Sequence, residues 1–379
     1  MKKGIMILVA VLLVAAMAVG CSAPAEPAAS ESASAAATQE ASQAPAETQE
    51  ASQAPSESAS AAAASGDVSS EWSGLPADTT PIDFGLNADE VKAGNYTIGF
   101  AQCVMDHPYR LDMVDRAQKW CDENGVKMVM MDGEGEPSKE VSNIESLIAQ
   151  KVDAIVISSH GGIAISPALQ QAADAGIPVV LIDGGKPFDD WTYLTWMSTD
   201  DWQLGTMAAE KIVEDIGGEG KIIQLEGTSG SSCTTGRKGG AEEVFAANPG
   251  IEIVADQDCN WLRNNAIDTV TNALQANPDV KAVYAHNDEM ALGAIEAIEK
   301  AGKVPGEDIL VYSAGDYQQT AFDAIKAGKM ELTQIYMNNG DYACQAAIAS
   351  LMGKDIPQKI NLGTEQATAE NVDTRTAMY

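Results

Sequence analysis

Asp183 closes the apolar run PVVLI (178–182) and is followed at once by Gly184 and Gly185. A carboxylate can accept two hydroxyl protons side by side, and glycines allow close backbone approach to whatever it holds. The same habit recurs along the chain. After YTIGFA (96–101) come Gln102 and Cys103, then Asp106, His107, Pro108, Tyr109 and Arg110. Trp261 follows IEIVA (251–255) within QDCNW, and Asn287 and Asp288 follow AVYA (282–285). Asp316 follows ILVYS (309–313), and LTQIY (332–336) ends on Tyr336, with Asn338 just beyond. Taken singly, each Asp or Asn also reads as an ordinary helix cap. Taken as a set, they suit a neutral, polyhydroxylated ligand. Carboxylates and amides take hydroxyl protons, Arg donates in a fork, and aromatic rings cover C–H faces.

Other chemistries find less support. The loop EGTSGSSCTTGRKGG (226–240) suggests phosphate at first sight, but it lacks the GxxxxGK[ST] spacing. Its Arg237 is expected in the first turn of the helix that follows, pointing into a cleft. No GxSxG or HExxH motif occurs, and His107, His160 and His286 make no metal-ligand pattern. Neither a metal nor a cofactor is expected. An exported glycosidase or phosphatase would need a paired acid and base; Asp183 and Asp316 are the candidates, and nothing in the sequence marks either.

These residues need elements to position them. The five runs 96–101, 126–131, 154–158, 178–182 and 193–197 are followed by a second series at 221–225, 251–255, 282–285, 309–313 and 332–336. Such apolar runs suit strands covered on both faces, hence parallel sheets. Helical stretches are expected between them, at 109–123, 138–150, 167–175, 204–216, 237–247, 267–276, 290–300 and 320–327. The alternation is the doubly wound α/β pattern, in two halves that can face each other across a cleft. Ligands of such sheets bind beyond the carboxyl ends of the strands.

The first 94 residues differ. Lys2 and Lys3 precede an uncharged apolar run, Ile5–Val19, that closes on Ala18-Val19-Gly20-Cys21. Residues 1–20 are expected to be a secretory signal. The small residues before Cys21 resemble the bacterial lipobox, which implies a lipidated Cys21, an anchor in the cell membrane and an extracytoplasmic location. Residues 22 to about 70 are low-complexity Ala, Ser, Glu, Pro and Gln, with TQEASQAP at 38–45 and again at 48–55. Within 21–94, this stretch is expected to be a disordered tether, and 71–94, with Trp72, Leu75, Ile82 and Phe84, an irregular lead-in packed loosely on the body. The chain carries 55 acidic against 23 basic residues, a net charge of −32. That disfavours nucleic acid and electrostatic binding to anionic lipid. Beyond Cys21 there are five scattered cysteines and no CxxC, which predicts buried thiols rather than a disulfide framework.

From about Asn95 onward the chain resembles the periplasmic binding protein type 1 family, in its ribose-binding, sugar ABC-transporter branch. The most specific stretch is AHNDEMALGAIEAIEKAG (285–302), supported by AGIPVVLID (175–183), RKGG (237–240) and PDVKAVYAHND (278–288). The resemblance implies two doubly wound parallel-sheet lobes joined by a three-segment hinge. It places 95–199 plus 337–365 in the first lobe and 200–336 plus 366–379 in the second, with crossings near 198–199, 336–337 and 363–364. It implies ligand contacts at His107, Tyr109, Arg110, Asp183, Arg237, Trp261, Asn287, Asp316 and Tyr336. It further implies a monomer, without enzymatic activity, that hands a small carbohydrate to an ABC permease; a ligand-presenting sensor is the alternative. Gly184 stands where ribose-binding members usually carry Arg, Tyr336 where they carry Gln, and Cys103 where they carry a small hydroxyl residue. A re-aimed site, for a sugar or polyol other than ribose, is expected.

Overall fold

The computed structural model describes residues 82–160, 162–184, 188 and 191–379. The expected signal, Cys21 and most of the tether lie outside the described residues. Part of the expected lead-in is helical: α1 (Ala88–Gly94) is capped by the Asn87 side chain, and its Val91 is buried.

Ten of the twelve strands form two β-α units of the same winding. Sheet one contains β1 (Thr97–Gln102), β2 (Lys127–Asp132), β3 (Ala154–Ser158), β4 (Val179–Ile182), β5 (Thr195–Ser198) and β11 (Lys359–Asn361). Its order is β11-β5-β4-β3-β1-β2, all parallel. Sheet two contains β6 (Glu219–Glu226), β7 (Gly250–Asp258), β8 (Val280–Ala285), β9 (Leu310–Ser313), β10 (Leu332–Gln334) and β12 (Gln366–Thr368). Its order is β12-β10-β9-β8-β6-β7, and only β12 runs antiparallel. Each sheet reverses its winding beside its first strand, between β1 and β3 and between β6 and β8. Those are the points where a doubly wound sheet opens a crevice.

Strand composition explains the two covered faces. Side chains alternate along a strand, so Ala154 and Val156 of β3 face one way, and Ile155 and Ile157 the other. The first pair packs with Met113 and Ala117 of α2 (Pro108–Glu123) and with Ala343 and Ala347 of α10 (Gly340–Leu351). The second pair packs with Leu147 of α3 (Pro137–Ala149) and Leu169 of α4 (Ser166–Asp174). Pro108 sits at the first turn of α2, where its missing N–H costs nothing. The helix stops at Asn124 and Gly125, the latter with φ +67.

On sheet two, α5 (Asp201–Ile216) pairs with α6 (Ser232–Ala247), and α7 (Arg263–Ala276) with α8 (Asp288–Lys300). The α5–α6 pair explains the RKGG signature. A Cβ on Gly240 would stand 2.1 Å from the Trp202 carbonyl oxygen, and one on Gly205 would stand 2.1 Å from that of Arg237. Only glycines let the two backbones approach so closely, and that approach sets where Arg237 stands. α9 (Gln319–Lys326) completes this half.

The chain crosses between the sheets three times: after β5, after β10 and after β11. The crossings are tied to one another. Thr199 Oγ1 donates to the Gly363 carbonyl (3.4 Å) and accepts from the Met337 N–H (3.3 Å). Thr364 Oγ1 donates to the Ile335 carbonyl at 2.8 Å. Three short parallel connections bonded in this way allow two rigid bodies to rotate about them.

Candidate functional site

α2 starts just beyond β1, and its first turn aims Arg110 at the ends of β3 and β4. The Arg110 guanidinium is buried, where an unpaired charge would be costly. Its Nη1 donates to Ser158 Oγ at 2.6 Å and to the Asp183 carboxylate, and its Nη2 lies 2.9 Å from His160 Nε2. Burial alone would raise the Asp183 carboxyl, but Arg110 and further hydrogen bonds hold it below its ordinary value. Burial, with help from Arg110, lowers His160 to about 4, so its neutral ring nitrogen accepts from the guanidinium. Asp183 itself has φ +62, a strained backbone for a non-glycine residue.

Arg237 is the second buried guanidinium. The structure corrects its expected place: α6 begins at Ser232, capped by Ser231, so Arg237 lies in the second turn. The Ser/Thr stretch read as loop is already helix there. Arg237 Nε donates to Asp201 Oδ1 at 2.9 Å, and Nη1 donates to the His286 carbonyl. The guanidinium carbon lies 4.5 Å from the Tyr336 ring centre and 5.4 Å from that of Trp261. Burial raises the Asp201 carboxyl to about 6 against the pull of Arg237, which leaves it mostly ionised at neutral pH.

Between these two centres the remaining residues gather. Tyr336, at the second crossing, lies 3.1 Å through its hydroxyl from Cys233 Sγ and 3.3 Å from Ser198 Oγ. Its ring centre is 5.5 Å from that of Tyr109, whose hydroxyl donates to the Met337 carbonyl at 3.4 Å. Trp261 (φ +64) is buried with its indole N–H unpaired, and its ring lies where a side chain on Gly227 would stand. Asn287 caps α8 by accepting from Met290 N–H (3.0 Å) and donates to the Trp261 carbonyl (3.3 Å). One amide N–H of Asn287 remains for another partner. His107 is buried with neither ring nitrogen hydrogen-bonded; burial and then Arg110 lower it to about 3, so it is neutral. Asp106 lies 3.9 Å from it, beyond hydrogen-bond distance. Asp316 is pushed up to about 8 by burial and by neighbouring Asp288, so it carries a proton at neutral pH.

All nine expected residues therefore lie buried around the facing strand ends. The lobes touch there: Ser232 Oγ donates to the Gly184 carbonyl, and Cys233 Sγ lies 4.0 Å from Asp183 Oδ1. A cavity of about 700 Å³ lies elsewhere, between α5 and α6 beside Trp202 and Asn248. The cleft is occupied by its own converging side chains. Sequence reasoning missed Ser158, His160, Cys233 and Tyr379. Ser158 ends β3 and His160 stands two residues beyond it, where the rule that points to Asp183 also points; Cys233 lies in the first turn of α6. Tyr379 follows no strand. Among the described residues no cluster of His, Cys, Asp or Glu could hold a metal ion, and no helix is long and apolar enough to cross a membrane. All five cysteines after Cys21 are buried free thiols.

Two doubly wound lobes on a three-segment hinge, with polar and aromatic side chains meeting at their facing tips, define a hinged solute-binding protein. Residues 98–355 match the family model of the periplasmic binding protein domain, and the chain belongs to that family. It is 34% identical to the ribose import binding protein RbsB of Bacillus subtilis over 268 residues, 70% of this chain and 85% of that one. It is 30% identical to the galactofuranose-binding protein YtfQ of Escherichia coli, over 64% of this chain and 78% of that one. Among solved structures it is similar to the periplasmic component of the arabinose ABC transporter from Shewanella sp. ANA-3. There the TM-score is 0.70 at 30% identity, covering 73% of this chain and 93% of that one. The chain is thus a binding protein of the transport type and not an enzyme, and its family works outside the cytoplasm.

Proposed function

We propose that this protein captures a small uncharged sugar or polyol by closing its lobes, and delivers it to an ABC importer while tethered to the membrane through lipid on Cys21. The carrying observation is the charge pairing in the cleft. Arg110 is matched by Asp183 and Arg237 by Asp201, while Asp316, His107 and His160 are neutral at pH 7. Among the described residues of the cleft, neither guanidinium is left over to meet an anionic ligand, and neither Asp183 nor Asp201 to meet a cationic one. Such a site offers donors and acceptors of fixed direction at no net charge, which suits hydroxyl groups.

On this reading His107, Tyr109, Arg110, Asp183, Arg237, Trp261, Asn287, Asp316 and Tyr336 contact the ligand, with Asn287 also holding Trp261 in place. The lobes divide at the crossings, as 95–199 with 337–365 and 200–336 with 366–379. The likeness to binding proteins for ribose, galactofuranose and arabinose supports the ligand class. Ligand favours the closed form by contacts that exist only when both lobes meet; about 5.5 kcal/mol reverses a 1:99 population. Titration calorimetry of the intact protein against neutral pentoses, hexoses, inositols and polyols tests the reading. One saturable site with no product formed is expected. Turnover of any member, or binding confined to charged solutes, refutes it.

A further inference from the structure

The described chain ends with a segment that neither the strand-end pattern nor the hinge requires. After β12 and a short 3-10 turn (Val372–Thr374), residues 376–379 return to the mouth of the cleft. There they are held by both lobes. The Met378 N–H donates to the Tyr317 carbonyl (2.9 Å), and the Tyr379 carbonyl accepts from the Gln319 N–H (2.8 Å); both partners precede or begin α9. The Met378 carbonyl accepts from Arg116 on α2, in the other lobe. Arg116 is itself oriented by Asp112 at 2.5 Å, which also accepts from Asn338 Nδ2 at 2.8 Å, just after the second crossing. The segment is therefore bonded twice to one lobe and once to the other, so that rotation of the lobes bears on the single bond.

Tyr379 is placed inward by this arrangement. Its ring centre is 6.5 Å from that of Tyr109, tilted by 57°. The residue is only half-buried, yet its hydroxyl oxygen is shielded from solvent and has no hydrogen-bond partner. It neighbours the Asp316 carboxyl and draws that group's titration down slightly, but the two are too loosely aligned to form a full hydrogen bond. A buried phenol oxygen left unpaired is costly unless something else supplies the partner. The unpaired Trp261 indole N–H and both His107 ring nitrogens face the same problem around the same cleft.

We infer that Tyr379 is a specificity-determining residue of the cleft, its hydroxyl pairing with one hydroxyl of the bound sugar or polyol while its ring caps the mouth. The inference rests on the function proposed above. A ligand hydroxyl supplies the missing partner. A solute with a methylene or bulky group at that position leaves the phenol unpaired or is excluded by the ring. The segment then joins both lobes over a ligand that satisfies it.

Calorimetry on the intact protein, Tyr379→Phe and Tyr379→Ala tests this. The probes are the best-bound member of the neutral sugar panel and its singly deoxygenated analogues. Tyr379→Phe keeps the ring and is expected to weaken the parent ligand about fivefold, a net hydrogen bond. For one deoxy analogue alone, wild type and Tyr379→Phe should bind equally, because that analogue has already lost the same bond. Tyr379→Ala should weaken all ligands at least tenfold and flatten their ranking. A purely structural tyrosine would shift every analogue by one factor, which overturns the inference while leaving sugar binding intact. Unchanged affinity in both variants does the same. A wild-type protein that binds no member of the panel overturns both the inference and the reading beneath it.

Discussion

Asp316 offers the sharpest physical prediction, because its proton is a property of the folded state alone. In an unfolded chain an Asp titrates near 3.9. Here it is 5% exposed and lies beside Asp288, which is already engaged with Ser313 Oγ and Thr333 Oγ1, each at 2.6 Å. Burial, and then Asp288, push Asp316 up to about 8, with Arg237 opposing. Between about pH 4 and 8 the native protein therefore holds a proton that the unfolded chain has released. The stability that this proton confers is full below pH 4 and is lost as pH rises towards 8. One proton corresponds to about 1.4 kcal/mol per pH unit, so wild type loses about 3 kcal/mol from this group between pH 5 and 7. Asp316→Asn keeps the shape of the neutral acid and cannot ionise. Other titrating groups, among them Asp201 and the buried histidines, cancel when variant and wild type are compared at the same pH. Urea unfolding at pH 5, 6 and 7 should show the variant gaining about 1.4 kcal/mol on wild type with each unit. A difference that does not move with pH means Asp316 is ionised when folded, and the neutral-cleft reasoning loses one of its parts.

Trp261→Ala should weaken ligand binding by about 2–3 kcal/mol, as loss of a buried aromatic anchor does, and should also lower stability by about 3–5 kcal/mol, because the ring is packed in the core; calorimetry with the panel ligand and urea unfolding read the two effects. Gly240→Ala places a methyl 2.1 Å from the Trp202 carbonyl oxygen. It should cost about 1–3 kcal/mol in urea unfolding and shift Arg237 enough to lower affinity as well; wild-type stability would mean α5 and α6 separate without penalty. Cys21→Ala should release the protein from membranes while leaving binding intact, seen by fractionation of cells expressing each form.

Much of this architecture was legible because it depends on short-range regularities. Both-face burial of β3 and β4 is written in the unbroken runs AIVIS and VVLI. A helix such as α2 announces itself by Pro108 at its start and Asn124-Gly125 at its end. Asp183, Trp261, Asn287 and Asp316 could be placed around the cleft because a doubly wound sheet puts its cleft at strand ends. The failures have equally local causes. α10, GDYACQAAIASL, was overlooked because it is apolar on nearly every side and shows little periodicity, being covered by α2 and the strands. β11 and β12 span three residues each, too few to carry a pattern. The start of α6 was set too late because Ser, Thr and Gly argue for loop, whereas here Ser231 caps and the glycines serve contact with α5.

What the sequence determined alone was the alternation of the main strands and helices, the doubly wound pattern and the places where polar residues would collect. Each follows from the chemistry of near neighbours along the chain. Tertiary structure alone decided which charges meet: Arg110 finds Asp183 on a different strand end, and Arg237 finds Asp201 on a neighbouring helix. It also decided that Asp316 keeps its proton and that Tyr379 reaches the cleft. Pairing across a fold and ionisation in a buried place depend on distances and solvent exclusion, and neither exists until the lobes have packed.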